Sequence, residues 1–281
     1  MKKLWFVLAW SCAGSVQPPP QPPPAPIFIP TTVRGLTLLD PGVAPLQRIV
    51  LEPPLHVAQL AQRTTRTATS LQREALTLTL RARMEAVDRA GGVTHIVAHI
   101  EGVDGLESAM PKNQLDQVEH VLETIEFSYD TTPTNEISNV KFTPKIEGFD
   151  DLATALGGGM VRLPDAPIGV HAKWRSSSEF HLLGQEWAVD ATCEVRALTS
   201  DEISLHIEYG MHAHPGSITP KKRLTSGAFK MTEDRVMPRH GLVSTANSRG
   251  TGKIDFEITS DQGTKTVSTE LETESSSKPL P

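Results

Sequence analysis

Between Arg34 and about Thr259, apolar side chains recur at every second position over long stretches. Successive strand side chains point to opposite faces, so a chain with that period buries its apolar surface as half-buried β-strands. The clearest runs are Leu76, Leu78 and Leu80, then Val93 to Ile100, then Val189 to Val195, then Ile203, Leu205, Ile207 and Tyr209. Asp88-Arg89-Ala90-Gly91-Gly92 separates the first two runs and Thr199-Ser200-Asp201-Glu202 the last two, which predicts two antiparallel hairpins. Gly250 and Gly252, followed by Ile254, Phe256 and Ile258, predict a third hairpin with Val236 to Val243. Helical spacing is confined to two places. Leu115, Val118, Val121, Leu122 and Ile125 predict a helix over residues 111–125, and residues 149–156 predict a shorter one stopped by Gly157-Gly158-Gly159. The expected fold is mainly β: an antiparallel curved sheet or sheets, or an open barrel, with one or two short helices packed on the sheet.

Two stretches invite a reading as repeats. His99-Ile100-Glu101 returns as His206-Ile207-Glu208, each at the end of a hairpin, and Leu55-His56-Val57 corresponds loosely to Ile168-Gly169-Val170. The organisation expected is a signal segment over residues 1–15, a Pro-rich tether over 16–32, and two duplicated β-rich units over 33–145 and 146–262. The stretch 263–281, rich in Ser, Thr and Glu, has too little apolar surface to repay its ordering entropy by burial, and reads as a disordered polar tail.

The amino-terminal segment has the order of a secretory signal. Met1-Lys2-Lys3 is positive, Leu4 to Trp10 is apolar, and Ser11-Cys12-Ala13-Gly14-Ser15 is small and polar. Seven apolar residues rise only about 10 Å as a helix, against the ~20 residues a spanning helix needs. Ala9-Trp10-Ser11-Cys12 resembles a bacterial lipobox, which makes Cys12 the candidate lipid anchor, and Ala13 in place of Asp points to the outer membrane. Cleavage after Ala13 by ordinary signal peptidase, giving a soluble exported chain, is the alternative. The tract Gln17 to Pro26 favours polyproline II and would act as a stiff spacer about 30 Å long.

Composition narrows the partners. A net charge of −6, no long basic run and 5% aromatic residues argue against nucleic acid. The two cysteines are Cys12 and Cys193, so a lipidated Cys12 leaves no partner for a disulfide. Cys193 lies in phase with Trp187, Val189, Ala191 and Val195 and reads as a small buried hydrophobe.

No constellation of catalytic residues emerges, and no cofactor is implied. There is no nucleophile elbow, phosphate loop or dinucleotide fingerprint. His212 and His214 share one strand face, with His206, His171 and His181 as further candidates, but Pro215-Gly216 follows at once and a turn at a sheet rim is the simpler account than a metal site. Adjacent carboxylates at Asp150-Asp151 and Glu233-Asp234 would point to opposite faces of a strand and cannot flank a substrate.

The segment Leu163-Pro164-Asp165-Ala166-Pro167-Ile168-Gly169-Val170-His171-Ala172-Lys173-Trp174 resembles a recurring segment of an uncharacterised β-rich envelope lipoprotein family of Gram-negative bacteria, a domain of unknown function, and the likeness covers residues 45–260. The resemblance implies fold and location without supplying an activity. Within the segment, Gly169 suits a turn entering a strand and Trp174 an apolar anchor for the sheet. The expected function is that of a lipid-anchored envelope protein, non-enzymatic, attached to the membrane through Cys12 and binding a protein or polymer partner. A carrier or sensor of an apolar ligand and an unrecognised envelope hydrolase are the alternatives.

Overall fold

Alternation becomes strand nearly everywhere in the computed structural model, which describes residues 31–33, 35–71, 74–105, 124–143, 161–182, 185–219, 221–260 and 263–281. In chain order the strands are β1 (Thr31–Val33), β2 (Leu36–Asp40), β3 (Val43–Gln47), β4 (Gln59–Thr69), β5 (Leu76–Ala90), β6 (Val93–Asp104), β7 (Glu126–Thr131), β8 (Ile137–Thr143), β9 (Ile168–Val170) and β10 (Lys173–Leu182). They continue with β11 (Gln185–Leu198), β12 (Glu202–Ala213), β13 (Gly216–Thr219), β14 (Lys222–Pro238), β15 (Thr245–Ser260) and β16 (Gly263–Leu280). Fourteen of them form one antiparallel sheet in the order β1-β2-β10-β11-β12-β14-β15-β16-β4-β5-β6-β7-β8, with β13 on β14 to the side. A small second sheet pairs β3 with β9. No ladder among the described strands joins β1 to β8, so the large sheet is open and not a closed barrel.

The first two expected hairpins form. Gly91 and Gly92, at φ 59° and 80°, make the two-residue turn between β5 and β6, a left-handed pair that matches strand twist and that glycine adopts without a Cβ penalty. Between β11 and β12 the Thr199 amide bonds the Glu202 carbonyl at 3.0 Å. The third hairpin is placed differently: residues 239–243, expected as strand, lie in the connection, and β15 pairs instead with β14, from Lys222↔Ile258 to Val236↔Thr245.

Three expectations are corrected. The stretch 263–281 is not a disordered tail: β16 pairs with β15 from Ser260↔Gly263 to Ala246↔Ser277 and with β4 from Leu271↔Thr69 to Leu280↔Leu60. From Leu271 to Ser277 its backbone is paired on both sides, and that compensation does not depend on the apolar content that the composition argument weighed. Thr31 and Thr32, expected within the Pro-rich tether, pair with β2 instead. Nor does the arrangement set two repeats apart. β2 from the first half lies beside β10 from the second, and β16 joins β15 to β4, so both halves belong to one sheet. The helix expected at 111–125 falls outside the described residues except at Thr124 and Ile125, and the one at 149–156 falls wholly outside them.

The sheet buries one face. On β11 and β12 the inward set is Val189, Ala191, Cys193, Val195, Ile203, Leu205, Ile207 and Tyr209, covered by Ile49, Val161 and Leu163 from the connecting segments and by Ile168 of β9. Trp174 is fully buried there and donates its indole N–H to the Arg162 carbonyl at 2.9 Å. Gly169 is needed for a different reason than a turn: a Cβ on it would meet the Val43 carbonyl oxygen of β3 at 2.0 Å. A second cluster of Ala86, Ile96 and Tyr129 serves β5 to β7. Ile96 and Tyr129 line the same 60 Å³ cavity as Arg235 and Met237 of β14, although β15, β16, β4 and β5 stand between them in the sheet. Laid flat, β14 and β6 would be about 24 Å apart at ~4.8 Å per strand. The sheet therefore curls toward its core face, and the Leu51 amide to Pro133 carbonyl bond (2.9 Å) and the Leu163 amide to Thr134 carbonyl bond (2.8 Å) hold the curl.

Candidate binding groove

The face opposite the core is polar because every second residue of the same strands is. Register then collects those residues into rows that cross the sheet. One row reads Arg175, Thr192, Glu208, Thr232, Arg249, Glu274 and Arg66, one from each of β10, β11, β12, β14, β15, β16 and β4. The adjacent row reads Ser177, Asp190, Gly210, Lys230, Thr251 and Glu272. All of them but Ser177 line an open groove of 890 Å³. A neighbouring depression of 560 Å³ shares Arg66, Thr232, Arg249 and Glu274 with it and continues to Asp234, Asn247, Ser276 and Thr64.

Charges of both signs line the groove, and some are internally matched. Arg249 lies 3.6 Å from Glu274, Asp190 accepts a hydrogen bond from Ser177, and Glu208 lies 3.9 Å from His206. Arg66, Arg175 and Lys230 make no side-chain hydrogen bond or salt bridge among the described residues, and neither does Glu272. In the floor, Gly210 leaves an opening: a Cβ on it would have no atom within 4 Å.

At one end of the groove face, Glu194 gathers Arg196 (2.9 Å), Lys173 (3.5 Å) and His171 (3.6 Å). Its partial burial favours the neutral acid, but those cations outweigh it and hold its carboxyl below the usual range. Asp255 bridges strands at the other end by accepting from Ser226 (2.7 Å) and Ser268 (2.6 Å), bonds that lower its pKa.

The histidines considered as metal ligands do not converge. His206 bonds Asp234 at 2.8 Å, His171 faces Glu194, and His212 and His214 are exposed, with the His214 amide bonded to the Glu186 carbonyl. Among the described residues no group of three metal-ligating side chains comes together, and the side chain of His181 lies outside them. Glu233 and Asp234 point to opposite faces as expected: Asp234 meets His206 on the groove side, and Glu233 pairs with Arg235 on the core side. Asp150-Asp151 and Cys12 are outside the described residues. Cys193 is fully buried and its thiol is pushed up to about 12 by desolvation, which makes it a packing residue and not a nucleophile.

The groove itself was not legible as a site. Its members are spread from Arg66 to Glu274, and only the cross-strand register brings them into rows. The single sequence signal was the polar half of the alternation, at Glu208, Lys230, Arg249 and Glu272, which reads equally well as a solvated face. Compared with protein-family models, curated proteins and solved structures, the chain matches none.

Proposed function

We propose that this chain is a lipid-anchored protein of the bacterial envelope, probing its surroundings through the polar face of its sheet and holding a partner there without chemical turnover. The observation that carries the binding role is the open 890 Å³ groove, built from seven strands adjacent in the sheet and holding charged side chains that have no partner among the described residues. The anchor rests on the sequence around Cys12, on the Pro tract after it, and on the likeness to envelope lipoproteins of the segment Leu163 to Trp174. A diacylated cysteine buries several tens of methylenes at about 0.8 kcal/mol each, so attachment would be effectively permanent. Feeding cells a radioactive fatty acid tests it. Label on the wild-type chain and none on Cys12→Ser is the expected result; an unlabelled wild-type chain among soluble periplasmic proteins refutes the anchor.

A second reading, a carrier of an apolar ligand, draws on a 350 Å³ hollow beside β3 and β9 lined by Val43, Ala44, Pro45, Val170 and Leu198. That is near the lower end of the ~300–1,000 Å³ range of small-molecule sites. Native mass spectrometry of protein from its own host decides it: an apolar molecule retained by the chain supports the carrier, and a bare chain mass removes it.

A further inference from the structure

We infer that the groove takes a hydroxyl-rich polymer carrying both carboxylates and amines along its length, the chemistry of a cell-wall glycopeptide. This rests on the binding role proposed above and gives it a ligand class. The backbone offers nothing to recognise: β11, β12, β14, β15 and β16 each pair on both sides, so the ladders use the floor's N–H and C=O groups. Strand addition by a peptide is therefore closed off within the groove, and recognition falls to side chains.

Those side chains have a definite character. The hydroxyls of Thr192, Thr232 and Thr251 stand between charged residues and can donate to or accept from sugar hydroxyls. Arg175, Lys230 and Arg66 are exposed cations without partners among the described residues, and they sit at the two ends and the middle of the strand series. They match carboxylates on a ligand. Glu272, two strands from Lys230 along the same row, matches an ammonium group and disfavours a purely acidic chain. A groove that runs across strands for the width of seven of them suits a linear polymer better than a compact solute. Gly210 leaves room over the floor midway along.

The test is co-sedimentation of the full-length chain with purified peptidoglycan sacculi, with chitin as a neutral and alginate as a purely acidic comparator. Wild-type and Cys12→Ser chains should sediment equally with sacculi, and raised salt should release them, because the contacts are exposed charges. Gly210→Trp fills the opening from a strand position with free space, so it should keep the wild-type melting temperature and lose about tenfold in affinity. Reversing two exposed cations, as Arg175→Glu with Lys230→Glu, should weaken binding at least as much, and it decides the matter alone if Gly210→Trp fails to fold. The inference is overturned if folded variants sediment like wild type, if chitin or alginate retains the chain as well as sacculi do, or if nothing retains it. None of these outcomes bears on the lipid anchor, which fatty-acid labelling tests separately.

Discussion

Glu233 accepts a hydrogen bond from the Arg235 guanidinium two residues along β14, and both side chains lie on the core side, 7% and 15% exposed. The i, i+2 spacing puts them on one face of the strand. Desolvation opposes the Arg235 charge, and the attraction of Glu233 outweighs it. Removing one member leaves the other charged and buried, so Arg235→Met alone should destabilise the fold by about 3–5 kcal/mol, whereas Glu233→Leu with Arg235→Met should recover most of the loss. Urea unfolding of the single and double variants measures this. Additive losses would show that the two residues do not act as a pair.

Trp174 fills the first core cluster and bonds the Arg162 carbonyl. Trp174→Phe keeps an aromatic ring but removes both volume and the donor, and should cost about 2–4 kcal/mol. The check is a lower urea midpoint with an unchanged denaturant slope.

Burial raises the Cys193 thiol to about 12, whereas an unfolded thiol titrates near 8.5. As pH rises through that window the unfolded chain loses a proton that the folded chain keeps. Stability should therefore fall by up to about 1.4 kcal/mol per pH unit above ~8.5 relative to Cys193→Ala, and the two should show parallel pH dependence below it. Native alkylation followed by peptide mass spectrometry should find Cys193 unmodified until the chain unfolds.

Asp255 holds β14 to β16 through Ser226 and Ser268, and those hydrogen bonds depress its pKa. A depressed carboxyl stabilises the fold above the unfolded value near 3.9, and that contribution is lost as pH falls through the folded value. Asp255→Asn should melt lower than wild type at neutral pH, and the difference should close in strong acid. A gap that is constant with pH would remove the carboxylate from the explanation.

Deleting residues 263–281 removes β16 and should lower the melting temperature, exposing the flanking edges of β15 and β4. Size-exclusion chromatography should show aggregation. A truncated chain that stayed monomeric with the wild-type melting temperature would mean that β16 contributes nothing to the sheet.

How far the sequence could be read depends on what held each element in place. Where apolar residues alternate, as in Ile203, Leu205, Ile207 and Tyr209, period alone identifies strand, face and core, and the buried Cys193 follows from it. The turns at Gly91-Gly92 and Thr199 to Glu202 were legible from their local chemistry. The Thr-rich β4 and the polar β16 were not, because their order comes from ladders with strands remote in sequence rather than from buried side chains. The groove is illegible for the same reason. Arg66 meets Glu274 across one ladder step, a pairing no local pattern encodes.

The place of β16 sets an order of assembly. It comes after every other described strand in sequence, yet it stands in the middle of the sheet, between β15 and β4. Synthesis is vectorial, so the strands on either side emerge with their facing edges open and wait for it. Contacts of such long sequence separation fold slowly. A sheet of this topology stays unfinished, and in need of shielding, until β16 has been delivered.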